Sequence, residues 1–101
     1  VDVLSGTPSL RTDPADCLAP RNATTGSCAA PEPRITRERN EIWKRAAAAA
    51  GAHFVDLRPW MCDQRTCPLV IGNVIVYRDT NHVTTTFAAT LRPGLQSKLG
   101  L

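Results

Sequence analysis

Aromatic residues are scarce in this sequence: two Trp, two Phe and one Tyr make up 5% of its 101 residues. Lysine is also scarce, with two against ten arginines, and the basic residues are scattered rather than run together. A chain with neither a basic block nor interleaved aromatics carries no nucleic-acid footprint, in spite of a net charge of +3. No apolar run within it is long enough to cross a bilayer, and no signal-peptide pattern occurs in it. It has no internal repeats. Val1 stands where an initiator methionine would, so the expectation is a fragment or a processed product.

What is present fits one small folded unit. At 43% hydrophobic and 21% charged, the composition is that of a globular segment rather than a disordered one. A chain of this length buries a modest core and little more. Four cysteines form two local groups, Cys17/Cys28 and Cys62/Cys67, and allow three pairings that sequence cannot choose among. Local pairing closes the shortest loops, and closing Cys62 to Cys67 contributes roughly 2 kcal/mol on loop length alone. Two disulfides imply an oxidising, extracytoplasmic compartment. The competing reading is zinc: Cys62-x4-Cys67 has tolerable ligand spacing, but Cys17 and Cys28 do not form a second knuckle.

Along the chain, Val1 to Leu4 reads as the end of a buried strand, stopped at Ser5-Gly6-Thr7-Pro8. Residues 9–33 have no apolar period and read as a long loop, which a Cys17–Cys28 clip would close. A helix is predicted over 34–50, with Ile35, Ile42, Trp43, Ala46 and Ala50 on its apolar face and Gly51 as its stop. Residues 53–57 read as a strand, so that strand, helix and strand form a parallel α/β unit. A cysteine-clipped loop over 62–67 follows, then two extended pieces, 69–71 and 74–76, around Gly72-Asn73. A terminal helix is predicted over 84–99, with Ala88, Leu91, Leu95 and Leu99 on one face and a break at Pro93-Gly94.

Between these elements lies Tyr77-Arg78-Asp79-Thr80-Asn81-His82-Val83-Thr84. A carboxylate held against one ring nitrogen of a histidine fixes its tautomer and stabilises the imidazolium, which frees the other nitrogen to take a proton from a hydroxyl. Asp79-x-x-His82 is short, and a helix-capping loop with a solvated histidine is the plainer reading on spacing alone. His53, inside an apolar strand pattern, reads as a structural histidine. Trp43, Trp60 and Tyr77 read as packing residues, and Arg78 as part of a solvated face with an anionic glycan as its sharper alternative.

Taken together, Val55-Asp56-Leu57, Trp60-x-Cys62, Cys67-Pro68, Tyr77-x-Asp79 and His82-Val83-Thr84 resemble SGNH-type hydrolase domains. The chain is most similar to the later half of the SGNH domain fused to the C-terminus of bacterial acyltransferase-3 membrane proteins, which O-acylate surface glycans. The opening Val3-Leu4-Ser5-Gly6-Thr7-Pro8 and the following two-cysteine loop resemble that subgroup too. The resemblance implies an α/β fragment of a three-layer, flavodoxin-like fold, with few, mostly parallel strands and flanking helices. It makes residues 1–101 the C-terminal portion of such a domain, with His82 as general base and Asp79 as its orienting partner.

The family's Gly-Asp-Ser block and its oxyanion-hole glycine and asparagine blocks have no counterpart here, and Leu4-Ser5-Gly6 is not that serine block. The implied function is therefore part of an extracytoplasmic, membrane-tethered serine acyltransferase or esterase, inactive alone. Its implied partners are an acyl donor, a carbohydrate or glycolipid acceptor, the remainder of its own SGNH domain and an N-terminal membrane acyltransferase domain. No cofactor or metal is expected. The alternative is a non-catalytic, disulfide-stabilised extracellular binding or assembly module.

Overall fold

A computed structural model describes residues 1–24, 26–63 and 66–101. The loops expected over 9–33 and 62–67 include Thr25 and Gln64–Arg65, which lie outside the described residues. In chain order the elements are β1 (Asp2–Leu4), α1 (Pro14–Leu18), β2 (Ala30–Pro31), α2 (Arg34–Ala49), β3 (His53–Val55) and α3 (Arg58–Met61). They continue with β4 (Thr66–Cys67), β5 (Val70–Ile71), β6 (Val74–Ile75), α4 (Thr85–Thr90) and α5 (Arg92–Leu99).

The architecture is mixed α/β. β1 and β3 pair in parallel, with Asp2 opposite His53, Val3 opposite Phe54 and Leu4 opposite Val55. Parallel neighbours need a long crossover, which here contains α2, and α2 packs on β3. Two antiparallel ladders accompany this unit: β2 with β4, and β5 with β6. Gly72 turns the β5–β6 hairpin at φ +62°, and Gly51 ends α2 at φ +70°, left-handed conformations that a Cβ disfavours.

α2 turns a different side to the core from the one its apolar period suggests. Ile35, Ile42 and Trp43 are 69%, 62% and 42% exposed, and Ala46 and Ala50 are exposed as well. The buried positions are Thr36 and Ala47, with Arg39 and Asn40 half-buried between them. The reason is largely polar: this side of α2 grips the chain after β1 through hydrogen bonds, so its inward residues other than Ala47 are donors and acceptors rather than hydrocarbon. β1 itself is less buried than a strand end of that composition suggests, with Leu4 40% exposed.

The core lies beyond β3. Val55, Leu57, Met61, Leu69, Val76, Tyr77 and Phe87 cluster there with Cys62, Cys67 and Cys28. Disulfides join Cys17 to Cys28 and Cys62 to Cys67, and all four sulfurs are taken up in this way. The cysteine-zinc alternative therefore falls. A half-buried ion pair supports the same region: Arg58 Nε donates to Glu32 Oε2 at 2.6 Å, with the Glu32 side chain only 4% exposed. The segment 84–99 forms two helices that meet at Leu91, the residue at once ending α4 and preceding α5, with Pro93 in the first turn of α5. Phe87 is buried and Ala88 exposed, while Leu91, Leu95 and Leu99 still pack on the core. No helix among the described residues is long and apolar enough to cross a membrane.

Ser5 fastens β1 to the core side. It is 5% exposed, its N–H donates to Val55 O at 2.9 Å, and its Oγ accepts from the Leu57 N–H at 2.8 Å. Ser5→Ala leaves the Leu57 amide buried without its acceptor, and is expected to lower unfolding free energy by about 1–3 kcal/mol, read from the denaturant midpoint. An unchanged midpoint would show that another acceptor replaces the hydroxyl.

Candidate acid–base site

The Asp79–His82 loop is closed at its base by the backbone. Val76 N–H donates to Leu69 O at 2.9 Å, Thr84 N–H to Val76 O at 2.8 Å and Arg78 N–H to His82 O at 2.8 Å, and Tyr77 and Val83 form an antiparallel bridge. Thr84 then starts α4: its Oγ accepts from the Phe87 N–H at 3.1 Å while donating to Ile75 O at 2.6 Å. One hydroxyl thus caps a helix and ties it to the hairpin. The loop between these clamps has little freedom in where it presents residues 79–82.

Within the loop, Asp79 Oδ1 accepts from the backbone N–H groups of Asn81 and His82 at 3.0 and 2.8 Å. The same carboxylate lies against His82 Nδ1, at 3.0 Å from Oδ1 and 2.9 Å from Oδ2. A carboxylate partner places the neutral imidazole's proton on Nδ1 and leaves the lone pair on Nε2, which has no hydrogen-bond partner among the described residues. The side chains are 58% and 40% exposed for His82 and Asp79, so a reactant can approach Nε2 directly. This pair was legible in the sequence. The bonds that fix Asp79 before it reaches the imidazole were not.

The Asn81 N–H, more than any other group, holds the Asp79 carboxyl below the ordinary carboxylate range, with the His82 ring and amide adding to it. A carboxyl lowered in the folded state contributes stability above its unfolded value, about 3.9, and loses it as pH falls through the lowered value. An NMR titration of the Asp79 side-chain carbon is expected to show its midpoint below that of a free aspartate, with the His82 amide shifting in step. A midpoint at the ordinary value would mean that these bonds do not persist in solution.

From outside, the stretch 6–10 brackets the loop. Asn40 grips Gly6 on both sides, Oδ1 accepting from Gly6 N–H at 2.9 Å and Nδ2 donating to Gly6 O at 3.4 Å. Arg39 Nη2 donates to Thr7 O at 3.2 Å, passing where a Cβ on Gly6 would lie 2.6 Å away. Thr7 Oγ1 then donates to Asn81 O at 3.3 Å, and Leu10 N–H donates to Thr80 O at 2.7 Å. Sequence reasoning missed Gly6, Thr7, Arg39 and Asn40. Gly6 and Thr7 stand in the quoted opening Val3-Leu4-Ser5-Gly6-Thr7-Pro8, but that stretch does not reveal their bracing role, because the bracket joins residues more than thirty positions apart.

The other singled-out residues stand elsewhere. His53 Nδ1 lies 3.0 Å from Asp2 Oδ1, its opposite number on β1, and forms a cross-strand pair unconnected to the loop. Tyr77 is buried, its hydroxyl has no partner among the described residues, and burial pushes it up to about 12. It is neutral and inert near neutral pH. Trp60 packs on Gly94 of α5, where an added Cβ would meet its ring at 2.9 Å. Trp43 lies under the Arg39 guanidinium at 5.5 Å on the exposed side of α2, a cation–π contact rather than a core one. Arg78 is exposed beside the dyad. Ser5, its hydroxyl buried against Leu57, is no nucleophile for His82.

The family model described as "SGNH domain (fused to AT3 domains)" matches residues 2–97. The chain belongs to the SGNH domain family. Comparison with curated proteins and with solved structures gives no match. The match runs through the parallel unit, both disulfides and the Asp79–His82 loop, so the SGNH domain assignment covers the whole described core. As an SGNH domain of the kind fused to AT3 domains, it is a hydrolase- and acyltransferase-associated module, and the AT3 domain is its membrane acyltransferase partner.

Proposed function

We propose that this SGNH domain supplies the acid–base half of a serine acyl-transfer site, with His82 as general base and Asp79 as its orienting partner. The observation that carries the reading is the His82 geometry: Nδ1 is engaged by a carboxylate that the backbone already holds, and Nε2 is left open. In this reaction the serine hydroxyl attacks an ester carbonyl as Nε2 takes its proton. The imidazolium then protonates the leaving oxygen, and the acyl group passes to water or to a sugar hydroxyl.

The serine and the oxyanion donors come, in this reading, from the remainder of the same SGNH domain, because no Gly-Asp-Ser block occurs among these residues. Two features support such a missing neighbour. The β1–β3 pair carries no further strand among the described residues, which leaves its edges without a strand partner. The radius of gyration, 14.5 Å, also exceeds the roughly 13 Å of a compact chain of this length. The exposed Ile35–Ile42 stripe and Leu4 then lie under that neighbour.

Two disulfides fit an oxidising, extracytoplasmic setting, and an acylated surface glycan or glycolipid is the proposed substrate. The test is hydrolysis of a small chromogenic acetate ester by the protein with its complete SGNH domain. An acyl-enzyme burst supports the reading, and absence of turnover by folded protein rejects it.

A further inference from the structure

A cavity of about 530 Å³ lies between the loop closed by the first disulfide and the start of α2. Its walls are mainly aliphatic: Leu10, Leu69, Pro33 and the Cys17–Cys28 disulfide, with no aromatic ring among the described lining residues. Of its two side-chain hydroxyls, on Thr12 and Ser27, the second is spent on Thr24 O at 2.9 Å. Such walls suit a hydrocarbon chain. A sugar would bring hydroxyls with few partners to meet them, and would find no ring face to stack on.

The mouth has the opposite character. Arg11, Arg34 and Arg37 line it, and Glu32 is the only carboxylate among the described lining residues. That carboxylate is already paired with Arg58 at 2.6 Å and almost wholly buried. Arg34 is shared with Glu38 at 2.7 Å, whereas Arg11 and Arg37 have no carboxylate partner among the described residues. α2 opens at this mouth with no side-chain cap on its first turn, adding the positive end of a sixteen-residue helix to the two guanidinium groups.

We infer that this cavity binds an anionic amphiphile, with an aliphatic chain along Leu10, Leu69 and the disulfide and a carboxylate or phosphate head on Arg11 and Arg37. The site is distinct from the acid–base pair and does not rest on its catalytic role. It is nevertheless joined to it, since Leu10 on its wall donates through its N–H to Thr80 O at 2.7 Å.

Calorimetric titration of the intact protein with octanoate, octyl phosphate, octanol and inorganic phosphate tests the inference. At least one octyl anion is expected to bind about tenfold or more tightly than octanol and than phosphate alone, because both chain and charge are needed. The tighter octyl anion identifies the head group, carboxylate as in a fatty acid or phosphate as in a lipid. The exposed double variant Arg11→Gln/Arg37→Gln is expected to weaken that binding by about tenfold or more. Octanol binding as tightly as the anions, neither anion binding, or full affinity in the folded double variant would each overturn it.

Discussion

His82→Ala is expected to lower ester turnover by the complete SGNH domain by a factor of about 100 or more while leaving folding intact. The side chain is more than half exposed, and its contacts with the rest of the chain run through Asp79 and the backbone, so truncation removes a base without opening the core. Asp79→Asn is the more discriminating partner. Its amide oxygen still accepts from the Asn81 and His82 N–H groups, so the loop keeps its turn. Its NH2 group, however, faces Nδ1 as a donor and drives the ring proton to Nε2, where it blocks proton uptake. A comparable loss of turnover in this variant is therefore expected, with a normal unfolding midpoint. Asp79→Ala, which strips the turn as well, is expected to lose stability in addition. If His82→Ala and Asp79→Asn both retain activity, the loop is structural, and the binding-module reading takes its place.

Reduction of both disulfides is expected to abolish cooperative unfolding. On loop length alone, the Cys17–Cys28 and Cys62–Cys67 bridges, with sequence separations of 11 and 5, contribute about 3 and about 2 kcal/mol. Their sum matches the lower end of the 5–15 kcal/mol, roughly, that holds an ordinary domain. The bridges differ in kind. Cys67 is wholly buried and Cys62 nearly so, and serines in their place bury hydroxyls in the centre of the core. Cys17 is only partly buried, and its bridge joins α1 to the segment before β2. Cys62→Ser/Cys67→Ser is therefore expected to cost at least as much as Cys17→Ser/Cys28→Ser, despite its shorter loop. Guanidinium unfolding of the two double variants and the reduced protein checks this. A reduced protein that unfolds cooperatively at the oxidised midpoint would show that packing alone suffices.

Local signals in the sequence set several element boundaries, though not α1, β2, α3 or β4. Gly51 ends α2, Gly72-Asn73 turns the hairpin and Pro93 separates α4 from α5, because each imposes a backbone conformation on its own neighbourhood. Asp79 and His82 were legible for the same reason: the pair is made within four consecutive residues. The burial of α2 was not. Its period pointed to Ile35 and Ile42, whereas its inward side is set by Asn40 and Arg39 reaching Gly6 and Thr7, partners remote in sequence. An apolar stripe says that something covers it, without saying whether that cover belongs to the same stretch of chain. The bracket on Thr80 and Asn81 was hidden likewise, since Thr7 and Leu10 reach partners more than sixty positions away.

The parallel pairing of β1 with β3 joins Asp2 to a partner 51 residues away. The β5–β6 hairpin, by contrast, joins Val70 to a partner five positions on. Loop-closure entropy grows with the logarithm of loop length, so the first contact carries about 2 kcal/mol more of it than the second. The turn that holds the imidazole belongs to the segment with the lower entropic charge, and the strand that brings its outer brace belongs to the higher. The contact between Asp79 and His82 is thus encoded locally, and its bracing is acquired at long range.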